Sequence, residues 1–190
     1  DLGINWTGMD EFLRAVEGLR PGVNFGTFAG FGTLRRGISE DSGQGALSLE
    51  DRAKAAILAE RAVAEGAFGL SFGLAYGHER SSSTEELIDV ARQVGRAGGI
   101  VKIHLRSEGA EVLAAVNEAV QIGRETGTAI IISHLKIIGR KSWPLAQKAL
   151  DIIAYARLSG VAIWFDVSPY RTTGSPLYLL VPAWARRGGL

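Results

Sequence analysis

Short β-branched and apolar runs alternate along the chain with longer stretches whose apolar residues recur every three or four positions. The runs at 23–29, 69–75, 99–105, 128–135 and 161–167 each read as a strand. Their nearly continuous apolar character suits a parallel sheet covered by helices. Helical spacing fills the intervals. Phe12, Leu13, Val16 and Leu19 predict a helix over Asp10 to Leu19, stopped by Pro21-Gly22. Ser48 with Asp51 caps a helix running through Ile57, Leu58 and Val63 to Gly66. Ser83 and Glu86 form a capping box ahead of Leu87, Val90, Ala91 and Val94, and Gly98-Gly99 ends that helix. Val112, Leu113, Val116, Ala119, Val120 and Ile122 give the next helical face, closed at Gly127. Ser142 caps another, with Pro144 tolerated in its first turn. Leu145, Ala149, Ile152, Ile153 and Ala156 form its apolar face, and Gly160 stops it.

Strand and helix alternating at about 30 residues per unit is the βαβ pattern. The fold class expected is α/β: a partial (β/α)₈ barrel with five parallel strands in sequence order. The glycine-rich stretch 30–37 reads as a loop at a strand's end; it carries neither a G-K-[ST] phosphate loop nor a dinucleotide fingerprint. Residues 38–47, rich in Ser, Gly, Asp and Gln, read as a mobile loop, 77–82 as a turn, and 177–185 as a short helix or turn. A closed barrel needs eight strands and typically ~250 residues. The chain has 190, begins Asp1-Leu2-Gly3 and has its one methionine at Met9. The expectation is therefore a single partial domain, 1–190, drawn from inside a longer protein. Such a piece leaves two sheet edges unpaired, each a template for self-association.

Composition narrows the function. With 21 basic and 20 acidic residues the net charge is +1, which gives no electrostatic case for nucleic acid or an anionic membrane as partner. No apolar run approaches the ~18 residues of a membrane span. Cysteine is absent, so disulfide frameworks and thiolate zinc sites are excluded and a cytoplasmic setting is compatible.

The candidate chemistry sits at two strand ends. The run 98–103 leads into His104, and the run 128–133 leads into His134. The C-terminal ends of barrel strands are where active sites are built. Either histidine alone reads as a satisfied residue capping a strand. Two of them one βα unit apart, each followed by charged residues, favour a metal site. Neutral imidazole is a common zinc ligand, and catalytic zinc keeps one position open for water. Ser107 or Glu108 is placed to orient His104. Arg106 and Glu108 read otherwise as an ion pair at the barrel mouth. His78, in a turn, reads as a solvated surface histidine, and Lys136 alone reads as a solvated loop lysine.

The surrounding residues add a family. His104-Leu105-Arg106-Ser107-Glu108-Gly109 resembles the H-x-R-x-E-G signature of the N-acyl-D-amino-acid deacylases, or D-aminoacylases, of the metal-dependent amidohydrolase superfamily. Ile132-Ser133-His134-Leu135-Lys136 with Gly139 is similar to their I-S-H-x-K…G stretch, and Gly66 to Tyr76 is similar to G-A-x-G-L-S-x-G-L-x-Y. Ser83 to Leu87, Asp166 to Tyr170 and Leu180 to Trp184 fit in the same order, so the resemblance spans about 30 to 190. It implies barrel strands three to seven and zinc on His104 and His134. It also implies hydrolysis of N-acyl-D-amino acids, with Lys136 and Tyr76 on the substrate carboxylate and Tyr170 and Ser175 in the pocket. Arg106, Ser107 and Glu108 are read as residues supporting the ligands, and Asp166 as structural. The family's catalytic aspartate belongs to an eighth strand, and its H-x-H pair to the first; this chain holds neither. Ala29-Gly30-Phe31 stands where the family has V-G-H, and Ser168 where it often has tyrosine. The alternatives are a cyclic-amide amidohydrolase of the hydantoinase or dihydroorotase kind, and a barrel-derived domain that binds without catalysis.

Overall fold

The computed structural model describes residues 6–38, 45–170, 172 and 174. Helix α1 spans Met9–Gly18, strand β1 Ala29–Gly30, α2 Phe31–Ile38, α3 Leu49–Ala64, β2 Gly69–Gly73, α4 Thr84–Arg96 and β3 Ile100–His104. They are followed by α5 Val112–Thr126, β4 Ile130–Ile132, a 3₁₀ turn Trp143–Leu145, α6 Ala146–Leu158 and β5 Ile163–Phe165. The five strands form one sheet in the order β1-β2-β3-β4-β5, and every neighbouring pair is parallel. The expected strand order is therefore present, as in part of a (β/α)₈ barrel.

The register explains which side chains are buried. Leu70, Val101, Ile130 and Ile163 lie in one row across four strands and are fully buried. Ser71, Lys102, Ile131 and Trp164 form the next row and are half-buried or exposed. Phe72, Ile103 and Ile132 return to the buried face. Strand side chains alternate between faces, so one face packs under the helices while the other lines an open cleft. Against the packed face α4 sets Leu87, Val90, Ala91 and Val94, α5 sets Val112, Val116, Ala119 and Ile122, and α6 sets Ala149, Ile153 and Ala156. Gly69 has φ +155, and a Cβ there would overlap the Ile100 carbonyl, so β2 can approach β3 only with glycine at this position.

Two expectations are corrected. The strand predicted over 23–29 shrinks to Ala29–Gly30. Val23 and Phe25 are exposed, and of that stretch Thr27 holds the sheet's edge only by accepting a hydrogen bond from the Phe68 N–H (2.9 Å). Asn24 and Gly26 interrupt what would otherwise be a strand pattern. The stretch read as a glycine-rich loop is instead α2. Phe31, Leu34, Arg35 and Ile38 recur at helical spacing, and Phe31 and Arg35 are fully buried. That packing offsets the roughly 1 kcal/mol that each interior glycine costs a helix.

Arg35 also alters the capping box. Ser83 accepts the Glu86 N–H as expected (3.2 Å). The Glu86 carboxylate, however, pairs with Arg35 where both are fully buried, and it accepts the Leu47 N–H at 2.9 Å. Arg35 further donates to Ser82 Oγ (2.5 Å) and to the Gly45 carbonyl (2.7 Å). The pair clasps α2, α4 and the chain at 45–47. At the next junction Ser142 makes no side-chain cap, and Trp143–Leu145 turns as 3₁₀ before α6. Residues 39–44, most of the predicted loop, and 177–185 lie outside the described residues.

Candidate metal centre

His104 is the last residue of β3, and His134 lies two residues beyond β4. Ladder contacts continue past the strand ends: Ser133 N–H donates to the Ile103 carbonyl (2.8 Å) and Leu135 N–H to the Asp166 carbonyl (2.8 Å). Between them His134 takes a left-handed backbone, φ +40, which is uncommon for a residue other than glycine. Its N–H donates to Asp166 Oδ1 at 2.6 Å. Lys102 Nζ holds the other oxygen of Asp166 at 2.9 Å. Burial alone would push the Asp166 carboxyl up, but these two donors outweigh it and keep it below the ordinary aspartate value.

The turn brings the rings together. His104 Nδ1 lies 3.0 Å from His134 Nε2, with ring centroids 4.6 Å apart. On the far edge of His134, Nδ1 lies 3.0 Å from Glu108 Oε1. The ligand atoms of His104, Glu108 and His134 all fall within 4.8 Å of one another. Two imidazoles sharing a tetrahedral zinc at ~2.0–2.1 Å hold their nitrogens about 3.3 Å apart. The observed separation needs only a small opening, so the residues fit a metal with nitrogen ligands. Burial keeps the His104 pKa below the ordinary imidazole value; Glu108 opposes the shift, while His134 and Lys136 reinforce it. The neutral ring that a metal requires is thereby favoured.

Glu108 thus stands against His134 rather than solely behind His104. Lys136 Nζ lies 2.5 Å from the same Oε1 and 3.0 Å from His134 Nδ1, so this lysine is part of the cluster and not a solvated loop residue. Tyr76 sits with its ring centroid 5.0 Å from that of His104. Arg106 does not pair with Glu108. It grips both oxygens of Glu118 (3.0 and 2.8 Å) and donates to the carbonyls of Arg80 and Ser82, bracing the β3–α5 loop. Ser107 Oγ accepts the Gly109 N–H (3.3 Å) in the same loop. Tyr170 is exposed, and its N–H faces Ser168 Oγ at 3.4 Å. Ser175 lies outside the described residues.

A cleft of about 430 Å³ opens over the inner face of the sheet, lined by Ser71, Tyr76, His78, Lys102, His104 and His134 among others. His78, expected at the surface, stacks on Tyr76 with the rings 7° from parallel. Its neighbour Glu79 is buried and accepts the N–H groups of Gly32 (2.9 Å) and Gly73 (2.6 Å). Burial raises the Glu79 pKa despite those donors. Lys102, which sequence reasoning passed over, was detectable: it stands two residues before His104 and so shares its face of the strand.

A cleft with paired histidines at the C-terminal strand ends can be compared with known proteins. No family model matches the chain. It is 35% identical over 170 residues to the N-acyl-D-aspartate deacylase of Alcaligenes xylosoxydans xylosoxydans, covering 89% of this chain and 34% of that protein. The solved N-acyl-D-glutamate deacylase of Bordetella bronchiseptica, complexed with zinc and a phosphonate inhibitor, superposes with a TM-score of 0.85 at 29% identity. That match covers 90% of this chain and 36% of the other. The crystal structure of D-aminoacylase, described as defining a novel subset of amidohydrolases, gives 0.82 at 30% identity over 87% of this chain and 35% of that one.

Over this shared length the chain is similar in sequence and fold to N-acyl-D-amino-acid deacylases. It spans about a third of the length of the deacylases it matches. Among the described residues, no helix is long and apolar enough to cross a membrane.

Proposed function

We propose that the protein carrying this segment is a zinc-dependent amidohydrolase that cleaves the amide of an N-acyl-D-amino acid into a carboxylate and a free D-amino acid. The observation that supports this reading most is the His104–His134 nitrogen pair, 3.0 Å apart at the C-terminal end of a parallel sheet, with an ammonium beside it. Bound by His104 and His134, zinc would supply an activated water near neutral pH and polarise the scissile carbonyl.

The chain's own residues take the remaining roles. Lys136 is a point charge suited to the substrate's α-carboxylate. Tyr76 walls the cleft beside His104 and orients the same end of the substrate. Tyr170 and Ser175 are assigned to substrate binding by their match to the family's sequence pattern. Arg106 and Ser107 hold the loop that carries Glu108. The general base, an aspartate, and the further metal ligands would come from strands beyond this segment. In this reading residues 1–190 form one part of a barrel whose edges, β1 and β5, pair either with the rest of the barrel or with another copy. The absence of cysteine suits a cytoplasmic enzyme.

The test is a pair of variants in the full-length protein. Lys136→Ala should chiefly raise KM, because a carboxylate clamp acts in ground and transition states alike. His134→Ala should remove activity and bound metal together. Metal loss in the Lys136 variant, or an unchanged KM, would move Lys136 out of the substrate site.

A further inference from the structure

We infer that Glu108 couples the metal centre to the carboxylate-binding lysine, with a single oxygen, Oε1, positioning both His134 and Lys136. This deepens the reading proposed above and rests on it. Oε1 lies 3.0 Å from His134 Nδ1 and 2.5 Å from Lys136 Nζ, and those two nitrogens are 3.0 Å from each other. The side chain is nine-tenths buried, and the Glu108 carbonyl is fixed by the Ile138 N–H at 2.7 Å. Glu108 therefore has little freedom to serve either partner from elsewhere.

The chemistry of imidazole makes the triangle a coupling. A neutral ring carries one proton on one nitrogen. His134 Nε2 faces His104 Nδ1, so Nε2 is the atom that must offer a lone pair to a metal shared with His104. The proton then belongs on Nδ1, and Glu108 Oε1 is the acceptor at hand. Carboxylates behind metal-bound histidines fix the ring in this way. Lys136 has only donors, so it cannot accept that proton. Its 3.0 Å approach to Nδ1 suits the opposite tautomer, in which Nε2–H points at His104.

The cluster thus has two self-consistent arrangements. In one, Lys136 donates to Nδ1 and the two histidines hydrogen-bond each other. In the other, Nδ1–H is donated to Glu108, both facing nitrogens are ready for a metal, and Lys136 loses one acceptor while staying anchored on Oε1. The ammonium N–H so released is available to an anion such as the α-carboxylate of an N-acyl amino acid. Occupying the histidine pair and arming the lysine then favour each other, and by linkage the effect is reciprocal.

The test measures metal affinity, not turnover. Cobalt(II) is titrated into the metal-free full-length protein by calorimetry and by visible absorption, for wild type, E108Q, E108D and K136M, with thermal unfolding to confirm that each variant is folded. The coupling predicts 10- to 100-fold weaker binding in E108Q, as for other supporting carboxylates. It predicts an unchanged band shape, partial recovery in E108D, and binding at least as tight as wild type in K136M. Unchanged affinity in E108Q would overturn it. So would an altered cobalt spectrum, which would make Glu108 a ligand itself, or a K136M loss as large as that of E108Q. If wild type binds no cobalt, the metal reading itself fails, and that result is distinct from all of these.

Discussion

The main-chain N–H of His134 donates to Asp166 Oδ1 at 2.6 Å, and this bond holds the left-handed turn that aims one histidine at the other. A residue other than glycine at φ +40 stores backbone strain, which persists only where neighbours over-determine it. Here the neighbours are Asp166 and, behind it, Lys102.

Asp166→Ala should therefore lower metal affinity without touching a ligand. Asp166→Asn keeps an acceptor oxygen for the N–H and should recover part of it. Equilibrium dialysis against a metal buffer compares the three proteins. Equal affinity in all of them would show that the turn holds without the carboxylate.

The same aspartate sets a pH dependence. Its folded-state pKa is depressed, so the stability it contributes is present above its unfolded value of 3.8 and is lost as pH falls through the lower folded value. The side chain is half exposed, which screens the effect. Urea midpoints taken across the acid limb should fall less steeply in Asp166→Asn than in wild type. Parallel limbs would remove Asp166 from the acid response.

Arg35 and Glu86 should behave as one unit. Breaking a buried pair by removing one partner costs about 3–5 kcal/mol, whereas replacing both with apolar side chains is often close to neutral. Arg35→Met is expected near the upper figure, because Glu86 would be left charged and buried. The double variant Arg35→Met/Glu86→Leu should cost less than the sum of the two single changes, with a residual loss from the unpaired Leu47 N–H. Denaturant unfolding of the full double-mutant cycle measures the coupling, and strict additivity would contradict it.

Two glycines separate backbone strain from crowding. Gly127 caps α5 at φ +69, and a methyl added there would meet nothing within 4 Å, so Gly127→Ala should cost only the left-handed penalty of about 1–2 kcal/mol. Gly69→Ala would collide with the Ile100 backbone and should cost about 3 kcal/mol or more. Thermal unfolding of both variants ranks them, and the reverse order would argue against the tight β2–β3 approach.

Much of this architecture was legible because local and global signals agree. Val101, Ile103, Ile130, Ile132 and Ile163 alternate with less buried neighbours in parallel register, and the intervening helices carry their apolar faces at the expected spacing. Paired histidines at strand ends pointed to one site for the same reason. What was hidden depends on tertiary partners. The helix over Phe31–Ile38 forms despite its glycines because Phe31 is buried and Arg35 meets Glu86, fifty-one positions away. Glu108 could be placed near the site from its motif, but its choice of His134 and Lys136 over Arg106 depends on how two loops fold back on each other. His78 keeps over a third of its side chain exposed, in line with its place in a turn, and also stacks on Tyr76 two residues earlier.

The most direct measurement is release of free amine from an N-acetyl-D-amino acid by the full-length protein. It is followed beside the L-enantiomer, before chelation, after chelation and after zinc is returned. Turnover of the D-enantiomer should disappear with the metal and return with zinc, and zinc should not restore it in His134→Ala. Undiminished turnover after complete metal removal, or full activity in His134→Ala, would contradict a zinc-dependent deacylase built on the histidine pair.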